Sequence, residues 1–285
     1  MRWQDSRRSD NVEDERGSGS GGGPGLKIGV AGLLVLIVAY FLGIDPRTVL
    51  GLLEATGSAQ QTSDTAAPGP APTDQQADFV RAVLGETEDV WKEIFHAAGS
   101  QYQPPKLVLF SGQVQSACGY AQAASGPFYC PQDQKVYIDL AFYRQLATDF
   151  KAPGEFAQAY VLAHEVGHHV QWLRGISDKV RAAQERASPE RANQLSVRLE
   201  LQADCYAGVW ANHADHEKHM LEQGDVEAGL QAAAAVGDDT LQRRMHGYIV
   251  PESFTHGTAA QRAGWFKRGL ASGQTQSCDT FSGND

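Results

Sequence analysis

The chain has 285 residues, of which 42% are hydrophobic and 20% are charged, a composition typical of a folded protein with one or two domains. Its 24 basic and 34 acidic residues give a net charge of −10. This charge argues against nucleic acid as a partner, because binding to phosphates requires concentrated positive charge.

The first segment of the chain is polar and ends in a run of glycine and serine at 17–25. Such a segment buries too little apolar surface to offset the entropy lost on ordering. Residues 1–27 are therefore predicted to form a disordered leader.

The next stretch, Ile28–Ile44, has no charged side chain and is about as long as the shortest helices that cross a bilayer. A buried core helix or the apolar part of a cleaved signal peptide are the alternatives. The long leader, and Asp45-Pro46-Arg47 directly after the stretch, favour an uncleaved transmembrane helix at 28–44.

Basic residues indicate the orientation of this predicted anchor. Five of them precede the apolar stretch, whereas Arg47 alone follows it closely, and the positive-inside rule then keeps the N-terminus in the cytoplasm. The sequence thus predicts a single-pass protein of the cytoplasmic membrane that contacts the lipid bilayer through one helix. Its remaining residues would lie on the extracytoplasmic (periplasmic) side.

Residues 45–78 are predicted to be a linker, because Ala, Pro, Gln, Thr and Ser dominate them from residue 55 onward. Residues 79–285 have the size and hydrophobic patterning of a single α+β domain, mostly helical with a small sheet. Strands are predicted at 106–110 and 135–139. Helices are predicted at 79–95, 155–173, 189–214, 217–236, 238–247 and 258–270.

The four cysteines become informative once the domain is placed in an oxidising compartment. Cys118 and Cys130 could then close the turn between the two predicted strands, and Cys205 and Cys278 could hold the C-terminal tail on the second long helix. Four cysteines allow three pairings, and this one rests on proximity alone. Free buried thiols are the alternative.

A charged and polar cluster, His164-Glu165-Val166-Gly167-His168, lies inside an otherwise apolar helix. Positions i and i+4 share a helix face, so His164 and His168 can bind one metal ion. Glu165 is offset by one residue and stands beside the metal, where it can take a proton from water. His169 lies one step around the helix and is predicted to pack or hydrogen-bond on another face.

A catalytic zinc site also needs a third protein ligand and an open position for water. Glu200 and Asp204 share one face of the second long helix. Glu200 is predicted to bind Zn²⁺, and Asp204 to accept the second N–H of a ligand histidine. Two ordinary surface acids are the alternative, which the small and apolar residues at 203–210 disfavour.

A second histidine group, His213, His216 and His219, has a spacing that would align it on one helix face. Charged residues surround it, however. A solvated helix end is therefore predicted in preference to a second metal site.

Three segments together resemble the bacterial putative neutral zinc metallopeptidase family: HEVGHHVQ at 164–171, ELQADCYAG at 200–208 and SFTHGTAAQR at 253–262. The start of the chain, MRWQDSRRSDNVEDERG, is similar too. The resemblance implies a zincin fold, a peptide or protein substrate, and Zn²⁺ held by two histidines and a glutamate. On this chain the implied ligands are His164, His168 and Glu200, with Glu165 as the general base.

The resemblance also implies a residue that binds the substrate carbonyl, because related peptidases use a histidine beyond the third ligand. His256 stands in the comparable place, and a histidine there could stabilise the developing oxyanion. Tyr248 is a weaker candidate for that role, and Arg262 is expected to pair with an acid such as Asp204.

Two functions are compatible with these patterns. One is a membrane-anchored zinc metallopeptidase in which Glu165 activates water. The other is a non-catalytic module, stabilised by zinc, that binds envelope proteins. A structural zinc usually has four protein ligands, and the sequence offers no clear fourth, which favours the enzyme.

Overall fold

The computed structural model describes residues 1–16, 74–122 and 126–282. The predicted transmembrane helix at 28–44 and most of the predicted linker at 45–78 lie outside these residues. Within the described part of the chain, no helix has the length and apolar character required to span a membrane.

Four strands form the main sheet, in the spatial order β1-β2-β6-β5. They are β1 (Val12–Asp14), β2 (Lys106–Phe110), β5 (Phe128–Cys130) and β6 (Lys135–Asp139). β2 runs parallel to β1 and β6, whereas β5 runs antiparallel to β6. Between β2 and β5 in the chain, β3 (Gln113–Ser116) and β4 (Gly119–Gln122) pair as a hairpin.

Strand β2 is buried on both faces of the sheet, as its continuous apolar run suggests. Leu107 and Leu109 join the main core, while Val108 and Phe110 join a second, smaller cluster on the opposite face. This division follows from the two-residue period of a strand. The predicted strands at 106–110 and 135–139 are confirmed.

Helices make up most of the remaining structure, so the predicted α+β class is confirmed in its helical content and small sheet. The helices are α1 (Gln75–Ala97), α2 (Ala141–Thr148), α3 (Glu155–Leu173), α4 (Ile176–Gln184), α5 (Pro189–Lys218), α6 (Asp225–Ala235), α7 (Asp238–His246) and α8 (Ala259–Ser272), with 3-10 turns at Pro251–Ser253 and Thr275–Cys278.

Local sequence explains where several helices begin. The Asp74 side chain accepts a hydrogen bond from the Ala77 N–H at the start of α1, and Ser188 caps α5 just before Pro189. Thr258 opens α8 with a reciprocal capping box. The helix predicted at 217–236 is shorter, because α5 continues to Lys218 and the chain then turns at His219 with a φ of 50°.

The prediction of a disordered leader is wrong for residues 1–16, which belong to the same folded unit as residues 74–282. Met1 and Trp3 are 7% and 3% exposed, and the Trp3 ring packs edge-on against Phe79 at 5.3 Å. The low apolar content of the segment makes it unstable only when it stands alone. These residues instead bind a surface that the rest of the unit provides.

Helices α3, α5 and α8 form the layer that carries the predicted site. Phe156 on α3 packs against Trp210 of α5 and Phe266 of α8, with ring centroids 6.2 and 6.3 Å apart. Cys205 on α5 forms a disulfide with Cys278, and Cys118 forms one with Cys130. The predicted pairing of the four cysteines is therefore confirmed.

Candidate metal centre

Three predicted ligands, His164, His168 and Glu200, meet where α3 faces α5. One ligand atom from each lies within 4.8 Å of the others. His164 Nε2 is 3.2 Å from Glu200 Oε2, and His168 Nε2 is 3.4 Å from Glu200 Oε1. Elsewhere in the residues that the structure describes, no other three histidine, cysteine or carboxylate side chains converge in this way.

These distances suit a tetrahedral zinc ion. Zinc binds imidazole nitrogen and carboxylate oxygen at about 2.0–2.2 Å, so adjacent corners of its tetrahedron lie roughly 3.3 Å apart. The two separations between an imidazole nitrogen and a Glu200 oxygen, 3.2 and 3.4 Å, bracket that value. Two nitrogens and one oxygen are also one of the donor sets of catalytic zinc sites, which keep a fourth position for water.

The electrostatics of the centre favour a bound cation. Burial alone would lower the pKa of His164, but the carboxylates of Asp204 and Glu200 outweigh this effect and raise the pKa to about 10. Burial raises the pKa of Glu200, yet the two histidines hold that pKa well below its usual range. The carboxylates thus favour positive charge at the imidazole nitrogens. Protons supply this charge in the metal-free site, and a divalent ion would take their place.

A close approach of two helices brings these ligands together. A Cβ atom at Gly167 on α3 would lie 3.0 Å from the Ala203 carbonyl oxygen of α5. A larger residue at 167 would push α5 away and carry Glu200 and Asp204 with it. The glycine in the His-Glu-x-x-His sequence therefore helps to set the distance between the histidines and the third ligand.

Asp204 orients His164. Its Oδ1 atom lies 2.8 Å from Nδ1 of His164, which leaves the Nε2 atom directed at Glu200. Arg262 donates to both oxygens of Asp204, at 2.8 and 3.0 Å, and Tyr160 donates to Oδ1. Asp204 is fully buried, and these contacts satisfy its charge. The expected pairing of Arg262 with Asp204 is confirmed.

His168 has a corresponding partner, Gln171, whose Oε1 lies 2.9 Å from His168 Nδ1. The amide of Gln171 in turn donates to the Leu199 carbonyl at 2.7 Å. Sequence reasoning missed Gln171 and Tyr160. Helical spacing could have found both, because Gln171 is three residues after His168 and Tyr160 is four residues before His164.

The three ligand residues and Glu165 line a cleft with a volume of about 650 Å³. Glu165 is 8% exposed. Aromatic side chains also line the cleft, among them Phe128 and Tyr129 of β5 and Phe142 of α2. The site is therefore accessible to a ligand larger than water.

His256 also lines this cleft, although it lies far from the ligand residues in the chain. Its ring Nδ1 is 3.3 Å from Asp238 Oδ1, and its side chain is 50% exposed. The other carboxylate oxygen of Asp238 accepts backbone N–H groups from Thr255, His256 and Gly257, at 2.8, 2.6 and 2.9 Å. Asp238, which sequence reasoning also missed, thus fixes the loop that presents His256.

Other candidate residues lie away from the centre. His169 Nδ1 is 3.0 Å from the Tyr129 hydroxyl, and its Nε2 is 2.6 Å from the Gln103 carbonyl oxygen. The prediction that His169 packs or hydrogen-bonds on another face of the helix is confirmed. His213 contacts the Gly273 carbonyl. Tyr248 is 65% exposed and is not among the residues of the cleft.

Comparison with known proteins agrees with this centre. A family model described as "Putative neutral zinc metallopeptidase" matches residues 1–281. The chain is 49% identical over 287 residues to "Uncharacterized protein YpfJ" of Escherichia coli (strain K12), covering 99% of each. It is 42% identical over 266 residues to "Uncharacterized protein Rv2575" of Mycobacterium tuberculosis (strain ATCC 25618 / H37Rv), covering 87% of this chain and 86% of that protein. No solved structure matches it.

Proposed function

This chain belongs to the putative neutral zinc metallopeptidase family, and on that premise we propose that it hydrolyses peptide bonds with Glu165 as general base and a glutamate as the third zinc ligand. One observation carries the proposal: two imidazoles and a carboxylate converge beside Glu165 in a cleft. A closed structural site would have no need of that cleft.

His164, His168 and Glu200 would hold the ion, and Zn²⁺ at that position supplies a Lewis acid for the substrate carbonyl and for water. Glu165 takes a proton from the attacking water as the oxygen bonds to the carbonyl carbon. It then delivers that proton to the amide nitrogen as the C–N bond breaks, and the products are a carboxylic acid and an amine.

In this proposal His256 stabilises the negative charge that develops on the carbonyl oxygen. Its Nδ1 atom is engaged by Asp238, and Nε2 is then the ring nitrogen that can donate toward a substrate. The Asp238 side chain and Glu200 raise the pKa of His256 above its usual value, although burial opposes this shift. A positively charged donor is suited to an oxyanion.

The same proposal places the active site outside the cytoplasm. Two disulfides, Cys118–Cys130 and Cys205–Cys278, support this location. Such bonds persist in the periplasm and outside cells, whereas cytoplasmic reductants keep most thiols reduced.

The test is substitution of the general base. Glu165→Gln removes the proton acceptor but none of the three ligand atoms, so the full-length variant should bind one equivalent of zinc like the parent. Its rate of cleavage of an unfolded, fluorescently labelled protein should fall by at least about a hundredfold, the usual contribution of a general base.

Glu185→Gln is the matched control, because Glu185 is exposed and lies at the end of α4, outside the cleft. It should cleave at the parent's rate. Cleavage by Glu165→Gln at an undiminished rate would refute the mechanism. Zinc bound with no cleavage by the parent would favour the non-catalytic alternative.

A further inference from the structure

Residues 1–16, the described part of the leader, pack against α1. Glu88 on α1 is only 7% exposed, and a buried carboxylate is costly without partners. Among the described residues its hydrogen-bond partners are Arg7, Ser9 and Asn11, at 2.7, 2.5 and 2.9 Å. Without the leader, Glu88 would lose all three.

Gly85, one turn earlier on α1, indicates the same contact. A glycine inside a helix costs about 1 kcal/mol relative to alanine, so its presence calls for a reason. A Cβ atom at this position would lie 2.6 Å from the Arg7 carbonyl oxygen. The Ser9 N–H donates to the Arg81 carbonyl at 3.0 Å. Helix α1 thus lets the leader backbone approach closely.

The leader then completes the sheet. β1 runs beside β2, with the Leu107 N–H donating to the Asn11 carbonyl and the Glu15 N–H to the Leu109 carbonyl, each at 2.8 Å. Glu13 forms ion pairs with Lys106 of β2 and with Lys135 of β6, at 2.8 and 2.6 Å. Without β1, the backbone groups on that edge of β2 would have no strand to pair with.

The two parts of the folded unit that flank residues 17–73 in the sequence contact each other. Arg16 in the leader forms an ion pair with Asp74, which caps α1. The apolar stretch Ile28–Ile44 therefore lies, in sequence, between two ends that the fold holds together.

From these contacts we infer that residues 1–16 occupy the same side of the membrane as residues 74–282 and the metal centre. A chain whose two flanks share one side crosses the bilayer an even number of times. One crossing takes about 20 apolar residues, and Ile28–Ile44 provides for one at most. A single crossing within this stretch would put the two flanks on opposite sides, so the inference opposes the single-pass topology that the sequence predicts. This inference does not depend on peptidase activity.

The test compares two variants of the full chain in bacterial spheroplasts, Asp10→Cys in the leader and Arg186→Cys after α4, each of which adds one free thiol to the four disulfide-bonded cysteines. Both positions are exposed. A membrane-impermeant maleimide should label both from outside, because the disulfides place the unit in an oxidising compartment. Labelling of both only after lysis would also support a shared side. Labelling of one position in intact spheroplasts and of the other only after lysis would overturn the inference.

A second measurement tests the docking itself. In the full-length protein, trypsin should cleave the leader after Arg7 or Arg8 slowly, and Gly85→Ala should accelerate this cleavage by about tenfold or more as docking weakens. Gly264→Ala on α8 is the matched control, because a Cβ there meets no atom within 4 Å. Cleavage after Arg7 or Arg8 as fast in the parent as in Gly85→Ala would contradict a docked leader.

Discussion

At the scale of single residues, Asp204 connects the metal centre to the rest of the core. It contacts His164 on α3, while Arg262 on α8 neutralises it from the other side. The Arg262 Nη2 atom is 3.9 Å from Glu200 Oε2, so this guanidinium also lies near the candidate third ligand. The orientation of one ligand ring therefore depends on an ion pair between two helices.

Asp204→Asn should weaken zinc binding by about 10- to 100-fold, because a neutral amide holds the His164 ring less firmly and makes it a poorer donor. Titration of the metal-free protein with zinc against a competing chelator measures this loss. Asp178→Asn, on the exposed face of α4 with its side chain 66% exposed, should leave the affinity unchanged. Equal affinities for Asp204→Asn and the parent would show that Asp204 has no role in positioning His164.

At the scale of the elements, contact between α5 and α8 depends on two glycines. A Cβ atom at Gly208 would lie 2.1 Å from the Phe266 carbonyl oxygen, and one at Gly269 would lie 1.9 Å from the Cys205 carbonyl oxygen. Backbone atoms cannot move aside as a side chain can. Because α8 carries Arg262 and α5 carries Asp204, this close packing also sets the length of their ion pair.

Gly269→Ala should therefore lower the free energy of unfolding by about 3 kcal/mol or more, at the upper end of what overpacking costs. Gly264→Ala, in the same helix with open space around it, should instead raise that free energy by about 0.5–1 kcal/mol. Urea denaturation of both variants, followed by circular dichroism, measures the difference. Similar stabilities would mean that α5 and α8 are farther apart than the structure shows.

At the scale of the whole molecule, the two disulfides constrain loops of very different length. Cys118–Cys130 spans a sequence separation of 12, whereas Cys205–Cys278 spans 73 and joins the C-terminal turn to the centre of α5. The longer loop has more conformational entropy in the unfolded chain, so closing it should stabilise the fold more.

We expect Cys118→Ala with Cys130→Ala to cost about 3 kcal/mol of unfolding free energy, and Cys205→Ala with Cys278→Ala to cost more than about 4 kcal/mol. The complete burial of Cys205 and Cys278 adds a packing loss in the same direction. Chemical denaturation of the two double variants gives both values. A larger loss for the 118–130 pair would contradict this order.

The local parts of the candidate site could be predicted from patterns of neighbouring residues. His164, Glu165 and His168 on one helix, and Glu200 with Asp204 on another, follow from the period of 3.6 residues, which depends only on near neighbours in the chain. The strands at 106–110 and 135–139 follow similarly from short runs of apolar residues. The pairing of four cysteines followed from proximity once the compartment was assumed.

Contacts between segments that are distant in the chain became visible only in the folded protein. The leader was predicted to be disordered because its own residues cannot form a core. Gly85 on α1 nevertheless lets the leader backbone approach closely, and the buried Glu88 accepts hydrogen bonds from it. Asp238 behind His256 could not be recognised in advance either, since nothing local links the first residue of α7 to a loop 18 residues later. Such contacts depend on how the elements pack. Their free energy arises from two segments together, so the residue pattern of either segment alone cannot predict the contact.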